Sequence, residues 1–158
     1  MLLVGFLLGA LVSTTAPAIP RDCPVTRHDA GIFAPPPPYD PAGPFPHRFW
    51  YGTERLWAMP SSSGVWSGTP RSNGVFNKVF WWSQAWDWKR DQRPALAVTA
   101  RRLDSHAEPV KASRATNAHN DGDIHHAMLV GLTLPTSGCW ELTGEYKGET
   151  LAYVVWFP

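Results

Sequence analysis

The stretch AMLVGLTLPTSGCWELTGEYKGETLAYVVWF, residues 127–157, decides the fold class. Two turn signals, PTSG at 135–138 and KGE at 147–149, divide it into three apolar segments of strand length. In the first two segments apolar and polar side chains alternate, a pattern typical of strands that bury one face. The stretch therefore predicts three consecutive strands, the last two joined as a hairpin.

The alternation also predicts which side chains form the core. The third segment, 150–157, is apolar on both faces, so we expect it to be covered on both sides or to lie at a contact surface. The Pro-rich N-terminal residues are one candidate cover. The core residues that we expect are Leu96, Val98, Ala100, Met128, Val130, Leu132, Leu134, Trp140, Leu142, Tyr146 and Val155.

Short apolar runs separated by clusters of Gly, Pro, Asn, Asp and Ser continue upstream of this stretch. They predict further strands at 49–51, 55–59, 65–67, 75–82, 96–103 and 110–115. No segment shows sustained helical periodicity, so helices are at most short. The strand spacing and the length of 47–158 predict an all-β fold, an immunoglobulin-like antiparallel β-sandwich.

The N-terminal residues 1–18 predict a secretory signal peptide. Residues 1–12 are apolar and uncharged but fall short of the ~20 residues of a membrane helix, and Ala16-Pro17-Ala18 offers a small-x-small cleavage site. No basic residue precedes the run, which departs from the usual pattern; a hydrophobic element retained in the fold is the alternative. We expect an exported protein (periplasmic, cell-surface or extracellular) without a membrane span in the mature chain.

Residues 19–46 form a Pro-rich arm between the signal peptide and the sandwich domain. Proline excludes helix and central strand, so this arm should be polyproline II or irregular coil that lies along its own domain, serves as a spacer, or binds an aromatic groove. Cys23 in the arm and Cys139 are the chain's two cysteines. In an oxidising compartment they predict a disulfide, with two unpaired thiols as the alternative.

Composition and motifs argue against several functions. Charged residues make up 17% and the net charge is +1, which disfavours nucleic-acid binding, and a 44% hydrophobic content disfavours disorder. The sequence contains no G-x-S-x-G, H-E-x-x-H, C-x-x-C or phosphate-binding loop motif. We therefore expect a non-catalytic binding or structural module without a cofactor, whose partner would be a cell-envelope protein or a glycan.

A tryptophan group marks a candidate ligand-binding surface. Trp86 and Trp88 are two residues apart in a polar segment, and Arg90 and Arg93 follow them. In an extended segment both rings would face the same way, and exposed aromatic rings beside charged donors bind sugars or protein partners. A carbohydrate-binding module is therefore one interpretation. The other is that the rings cap the open end of the sandwich, with guanidinium groups stacked on them.

A histidine cluster raises the alternative of a periplasmic copper or zinc protein. His119, His125 and His126 lie close in sequence, with Asp121 and Asp123 between them. Imidazole groups with thioether or carboxylate ligands suit copper or zinc. Adjacent residues of a strand point to opposite faces, so only one of the paired histidines could join His119 if the strand includes both. We therefore expect a polar loop leading into a strand, and no metal site.

The C-terminal hairpin resembles that of a group of uncharacterised exported bacterial proteins. GCWELTG at 138–144 and LAYVVW at 151–156 are similar to their pattern G-C-W-E-[VIL]-[TS]-G-x-Y followed by L-x-[FY]-V-V. CPVT at 23–26, FWW at 80–82 and ARRLD at 100–104 are similar as well, so the resemblance spans about the whole mature chain with gaps in the loops. It implies an exported immunoglobulin-like β-sandwich and assigns no catalytic residues.

Overall fold

The computed structural model describes residues 18–30, 33–37, 44–120 and 125–158, without the side chains of Ala30, Asn120 and His125. The predicted signal peptide therefore lies almost wholly outside the described residues. A short 3-10 helix spans His28–Ala30. The strands are β1 (Tyr51–Thr53), β2 (Leu56–Ala58), β3 (Thr69–Arg71), β4 (Gly74–Trp82), β5 (Ala97–Arg102), β6 (Val110–Lys111), β7 (Thr116–Asn120), β8 (His125–Leu134), β9 (Gly138–Tyr146) and β10 (Glu149–Phe157).

The strands form two antiparallel sheets. One sheet has the order β1-β2-β4-β8-β7, with β3 added alongside β4, and the other has the order β10-β9-β5-β6. The predicted all-β fold with two antiparallel sheets is confirmed. Its immunoglobulin-like connectivity stays a prediction. No helix in the described part of the chain is long and apolar enough to cross a membrane.

One hydrophobic core lies between the sheets, and every core residue predicted from the alternation is buried in it. The rings of Trp81 on β4 and Tyr153 on β10 meet across the core, with their centroids 5.6 Å apart. Gly144 on β9 leaves room for this packing, because a Cβ atom there would lie 2.6 Å from a Trp81 ring carbon. The period-two pattern thus predicts the buried faces of β5, β8 and β9 correctly.

The predicted C-terminal hairpin is confirmed. Tyr146 and Glu149 are paired at the end of β9 and the start of β10, so Lys147 and Gly148 alone form the turn. Both have positive φ angles, 48° and 86°, as a type I′ turn requires. The glycine in the second position is the residue that adopts this conformation at least cost.

One predicted strand is wrong and two observed strands were not predicted, because these segments follow backbone pairing and not the side-chain pattern. The predicted strand at 65–67 is reduced to a bridge between Val65 and Trp156. The strands β3 and β7 appear where the sequence predicts turns or loops. Their sequences, TPR and TNAHN, lack apolar alternation because they pair at sheet margins and contribute little to the core.

The N-terminal arm is fixed to the second sheet by a disulfide and by backbone hydrogen bonds. Cys23 and Cys139 are bonded, with Cα atoms 5.5 Å apart, which confirms the predicted pair. Thr26 donates its amide to the Val154 carbonyl at 3.0 Å, and its hydroxyl accepts the Val154 amide at 2.9 Å. The arm therefore runs beside the doubly apolar strand β10 and covers part of its outer edge.

Further along the chain, the described parts of the arm reach the outer face of the first sheet. The Phe33 ring lies 5.7 Å from the Trp57 ring, and the Phe45 ring lies 5.8 Å from the Phe80 ring. Trp57 and its stacked neighbour Trp82 are buried on this outer face. Phe33 and Phe45 thus pack against aromatic side chains of this face.

Candidate functional site

The connection between β4 and β5, residues 83–96, folds around a buried tryptophan. The Trp86 indole nitrogen donates to the Asp91 carbonyl at 3.1 Å. The Ser83 hydroxyl accepts the Ala85 amide at 3.1 Å, and the Asp87 carbonyl accepts the Asp91 amide at 2.8 Å. Serine and aspartate favour such local turns, because their oxygens accept nearby amides. The loop therefore has a defined shape with Trp86 at its centre.

The two tryptophans predicted to form an exposed pair have different environments. Trp86 is only 2% exposed and belongs to the core. Trp88 is half-buried, and its ring stacks on His126 at 3.8 Å between centroids with a 15° interplanar angle. Lys89, and not an arginine, lies over Trp88, with Nζ 5.0 Å from the ring centroid. The expectation that both rings face solvent together is wrong for Trp86.

Asn117 joins this loop to the first sheet. Its side-chain amide donates to the Trp88 carbonyl at 2.9 Å and to Gln92 Oε1 at 3.0 Å. Its Oδ1 lies 3.1 Å from Nδ1 of His126. Sequence reasoning missed Asn117 and Gln92, because their partners are distant in sequence and no local pattern marks them.

The structure brings two of the three candidate metal ligands together. His119 on β7 and His126 on β8 are directly opposite each other, and their ring centroids are 4.5 Å apart. His125 precedes His126 in the same strand, while its side chain and residues 121–124 lie outside the described part. The residues that the structure describes include no group of three or more His, Cys, Asp or Glu suited to a metal ion.

We expect no stoichiometric binding of Cu(II) or Zn(II) at submicromolar concentration. Ligation needs three or more donors at about 2.0–2.3 Å from one point, whereas His126 stacks on Trp88 and contacts Asn117. Calorimetric titration of the mature protein with each ion measures this. A His119/His125/His126 triple alanine variant is the control, and tight binding that disappears in this variant would establish a metal site.

A groove with two arginines opens beside the loop, between the starts of β5 and β7. Its volume is about 670 Å³, within the range of ordinary ligand sites. Two chain segments line the groove, 93–96 with Arg93 and 114–116 with Arg114, and both arginines are exposed. Pro94, Leu96 and Ala115 are the buried residues of its apolar lining.

Neither guanidinium group of this groove forms an ion pair or a side-chain hydrogen bond within the described residues. Arg90, by contrast, is 90% exposed, lies 3.6 Å from Asp87, and does not line the groove. Of the four residues predicted to bind a ligand, Arg93 alone lies in the groove lining. Arg114 was missed, because only the folded chain shows that it lines this groove without an ion-pair partner among the described residues.

Tyr146 lies near this loop at the end of β9. Burial, and to a smaller extent the charge of Asp91, raises the pKa of Tyr146 from 10.0 to about 12. The Tyr146 hydroxyl has no hydrogen-bond partner among the described residues. The folded state therefore favours the neutral phenol, chiefly because the group is buried and to a smaller extent because of the charge of Asp91.

The free energy of unfolding should fall as the pH rises from about 10 towards 12. A group whose pKa is higher in the folded state than in the unfolded state stabilises the fold fully at a pH below its unfolded-state pKa. This contribution is lost as the pH rises through the folded-state pKa. Urea unfolding at pH 8 and pH 11 measures this change. The free energy of unfolding of Tyr146→Phe should equal that of the natural protein at pH 8 and should fall less between pH 8 and pH 11. Tyr153, whose pKa burial also raises, remains in both proteins. Equal falls in the two proteins would contradict the assignment.

Comparison of the chain with protein-family models, with curated proteins and with solved structures finds no match. The geometry of this chain and its chemistry therefore carry the functional assignment.

Proposed function

We propose that the protein is an exported, non-catalytic binding module whose ligand-binding surface is the groove between Arg93 and Arg114. The observation that carries this proposal is a pair of guanidinium groups above an apolar lining, neither of which has an ion-pair partner among the described residues. Arginine binds carboxylates through two parallel hydrogen bonds. The expected ligand therefore combines a carboxylate with an apolar portion.

The lining of the groove favours binding over catalysis. Its ionisable side chains are the two arginines, which do not lose their protons in proteins, and its other polar side chain is the Thr116 hydroxyl. Such a set can hold an anion but offers no general base to activate a nucleophile. A cofactor has no part in this proposal.

Export is supported by the bonded cysteines, since disulfides persist mainly in oxidising compartments. The apolar N-terminal residues and the resemblance of the hairpin to exported bacterial proteins support it further. A periplasmic, cell-surface or extracellular position fits each of these observations, and a cell-envelope protein or glycan is the partner that such a position offers.

The carbohydrate and metal alternatives have weaker support from the same region. A sugar-binding surface at Trp86 and Trp88 would have to use Trp88 alone, because Trp86 is buried. A copper or zinc site would need a third ligand besides His119 and His126. Binding of an anion in the groove requires neither a single-tryptophan sugar site nor a third metal ligand.

Chemical-shift mapping on ¹⁵N-labelled residues 19–158 tests the proposal. N-acetylglutamate should shift the amide signals of residues 93–96 and 114–116, whereas N-acetylglutamine amide, which has no carboxylate, and chitobiose should not. An Arg93→Gln/Arg114→Gln variant should lose the response. Arg90→Gln removes the same charge from the same loop outside the groove, so it should keep the response.

Three outcomes would contradict the proposed function. The first is an equal response to N-acetylglutamate and N-acetylglutamine amide. The second is no response to N-acetylglutamate at the groove, and the third is shifts from chitobiose alone around Trp88. The last outcome would support the carbohydrate-binding alternative instead.

A further inference from the structure

Two backbone hydrogen bonds mark the ends of the groove. The Asn117 amide donates to the Gln92 carbonyl at 3.0 Å, and the Ala112 amide donates to the Val98 carbonyl at 2.9 Å. Between these two bonds the chain segments 93–97 and 113–116 separate, and the groove lies in the opening. The opening is thus bounded by backbone on both sides.

Each side of the opening has a residue that directly precedes a strand, Leu96 before β5 and Ala115 before β7. The Val98 carbonyl of β5 accepts the Ala112 amide. Backbone groups two residues apart in an extended chain point to the same side, so those of Leu96 point to the side of β5 that faces Ala112. Asn117 directs its amide outward from β7 to Gln92, and Ala115, two residues earlier, directly precedes that strand on the same side of the opening. Within the described chain, the amides of Leu96 and Ala115 make no hydrogen bond.

We propose that the groove binds an extended peptide segment that carries an acidic side chain, and this inference rests on the proposed function. The peptide adds as a strand, with its backbone hydrogen-bonded to the edges at Leu96 and Ala115. Its carboxylate pairs with Arg93 or Arg114. In such strand addition the main-chain bonds supply affinity, and pockets for alternate side chains supply specificity.

The groove favours a peptide over a small anion because it provides backbone amides and an apolar lining in addition to two positive charges. A free carboxylate would engage the arginines and leave the unpaired edges and the apolar lining unused. An extended peptide alternates its side chains between two directions. One residue then packs on Pro94, Leu96 and Ala115, which are buried, while its neighbours reach the exposed arginines. The preferred sequence therefore alternates apolar and acidic residues.

Fluorescence anisotropy with a labelled, end-blocked pentapeptide of sequence Val-Glu-Val-Glu-Val tests this inference. Its Kd should be at least tenfold lower than that of N-acetylglutamate, measured by competition. The Val-Lys-Val-Lys-Val peptide reverses the charge and should not bind. A version of the acidic peptide with N-methylated central amides keeps the charge but cannot pair as a strand, and it should bind at least tenfold more weakly.

Variants of the protein locate the binding. Arg93→Gln/Arg114→Gln should raise the Kd of the acidic peptide at least tenfold, whereas Arg90→Gln should leave it unchanged. Circular dichroism and thermal melting verify that each variant is folded. Equal affinity for peptide and N-acetylglutamate, with no effect of N-methylation, would overturn strand addition while the proposed function stands. Failure of every acidic probe to bind would overturn both.

Discussion

The double substitution Cys23→Ser/Cys139→Ser should lower the free energy of unfolding by about 4–5 kcal/mol. The bonded cysteines are 116 residues apart in sequence, so the bond closes a long loop and restricts the unfolded chain strongly. The loss is comparable with the stability of a small domain. Urea unfolding followed by circular dichroism gives the value for both proteins.

A second readout distinguishes release of the arm from general unfolding. Trp57 is buried against Phe33 of the arm, so the variant should show red-shifted tryptophan emission under conditions where it remains folded. Reduction of the natural protein is the matched control, because it breaks the same bond without a substitution. A loss below about 1 kcal/mol in both cases would mean that the bond contributes little to stability.

Trp140→Ala should lower the free energy of unfolding by about 3–5 kcal/mol. The side chain is fully buried between the sheets, and its indole nitrogen donates to the Thr136 carbonyl at 3.1 Å. Truncation removes the largest ring of β9 from the core and leaves a cavity that the neighbouring strands fill only in part. Denaturant unfolding at neutral pH measures the loss.

The next residue of the same strand gives a matched control. Glu141 lies on the opposite face and pairs with Arg101 at 2.9 Å, an exposed ion pair of the kind that contributes about 0–1 kcal/mol. Glu141→Ala should therefore cost far less than Trp140→Ala. Similar losses for the two variants would show that the faces of β9 are assigned one residue out of register.

The parts of the fold that depend on local pattern were predictable from the sequence. The buried faces of β8 and β9 follow from alternation, and the hairpin follows from the Lys147-Gly148 turn. The disulfide was predictable because the chain has two cysteines. The strands β3 and β7 were not, because they carry mostly polar residues and form through backbone pairing with a neighbour. Hydrophobic pattern carries no information about such strands.

The candidate site was predictable only in part. Arg93 follows a tryptophan group and was therefore a candidate from the sequence. Arg114 became a candidate only because folding places it in the lining of the same groove. The environment of Trp86 also depends on folding. Local bonds from Ala85 to Ser83 and from Asp91 to Asp87 fold the loop, so the two tryptophans do not share a face as they would in an extended segment.

The position of the arm also bears on self-association. Strand β10 is apolar on both faces and lies at the margin of its sheet, which is the kind of edge that recruits another chain. Thr26 occupies this edge at Val154, and the backbone of residues 64–66 occupies it at Trp156. The arm therefore competes with a second molecule for the same hydrogen bonds. When the disulfide is reduced, the arm is no longer held covalently beside β10. The reduced chain should therefore form edge-to-edge dimers and fibrils more readily than the oxidised chain, and more so at higher protein concentration.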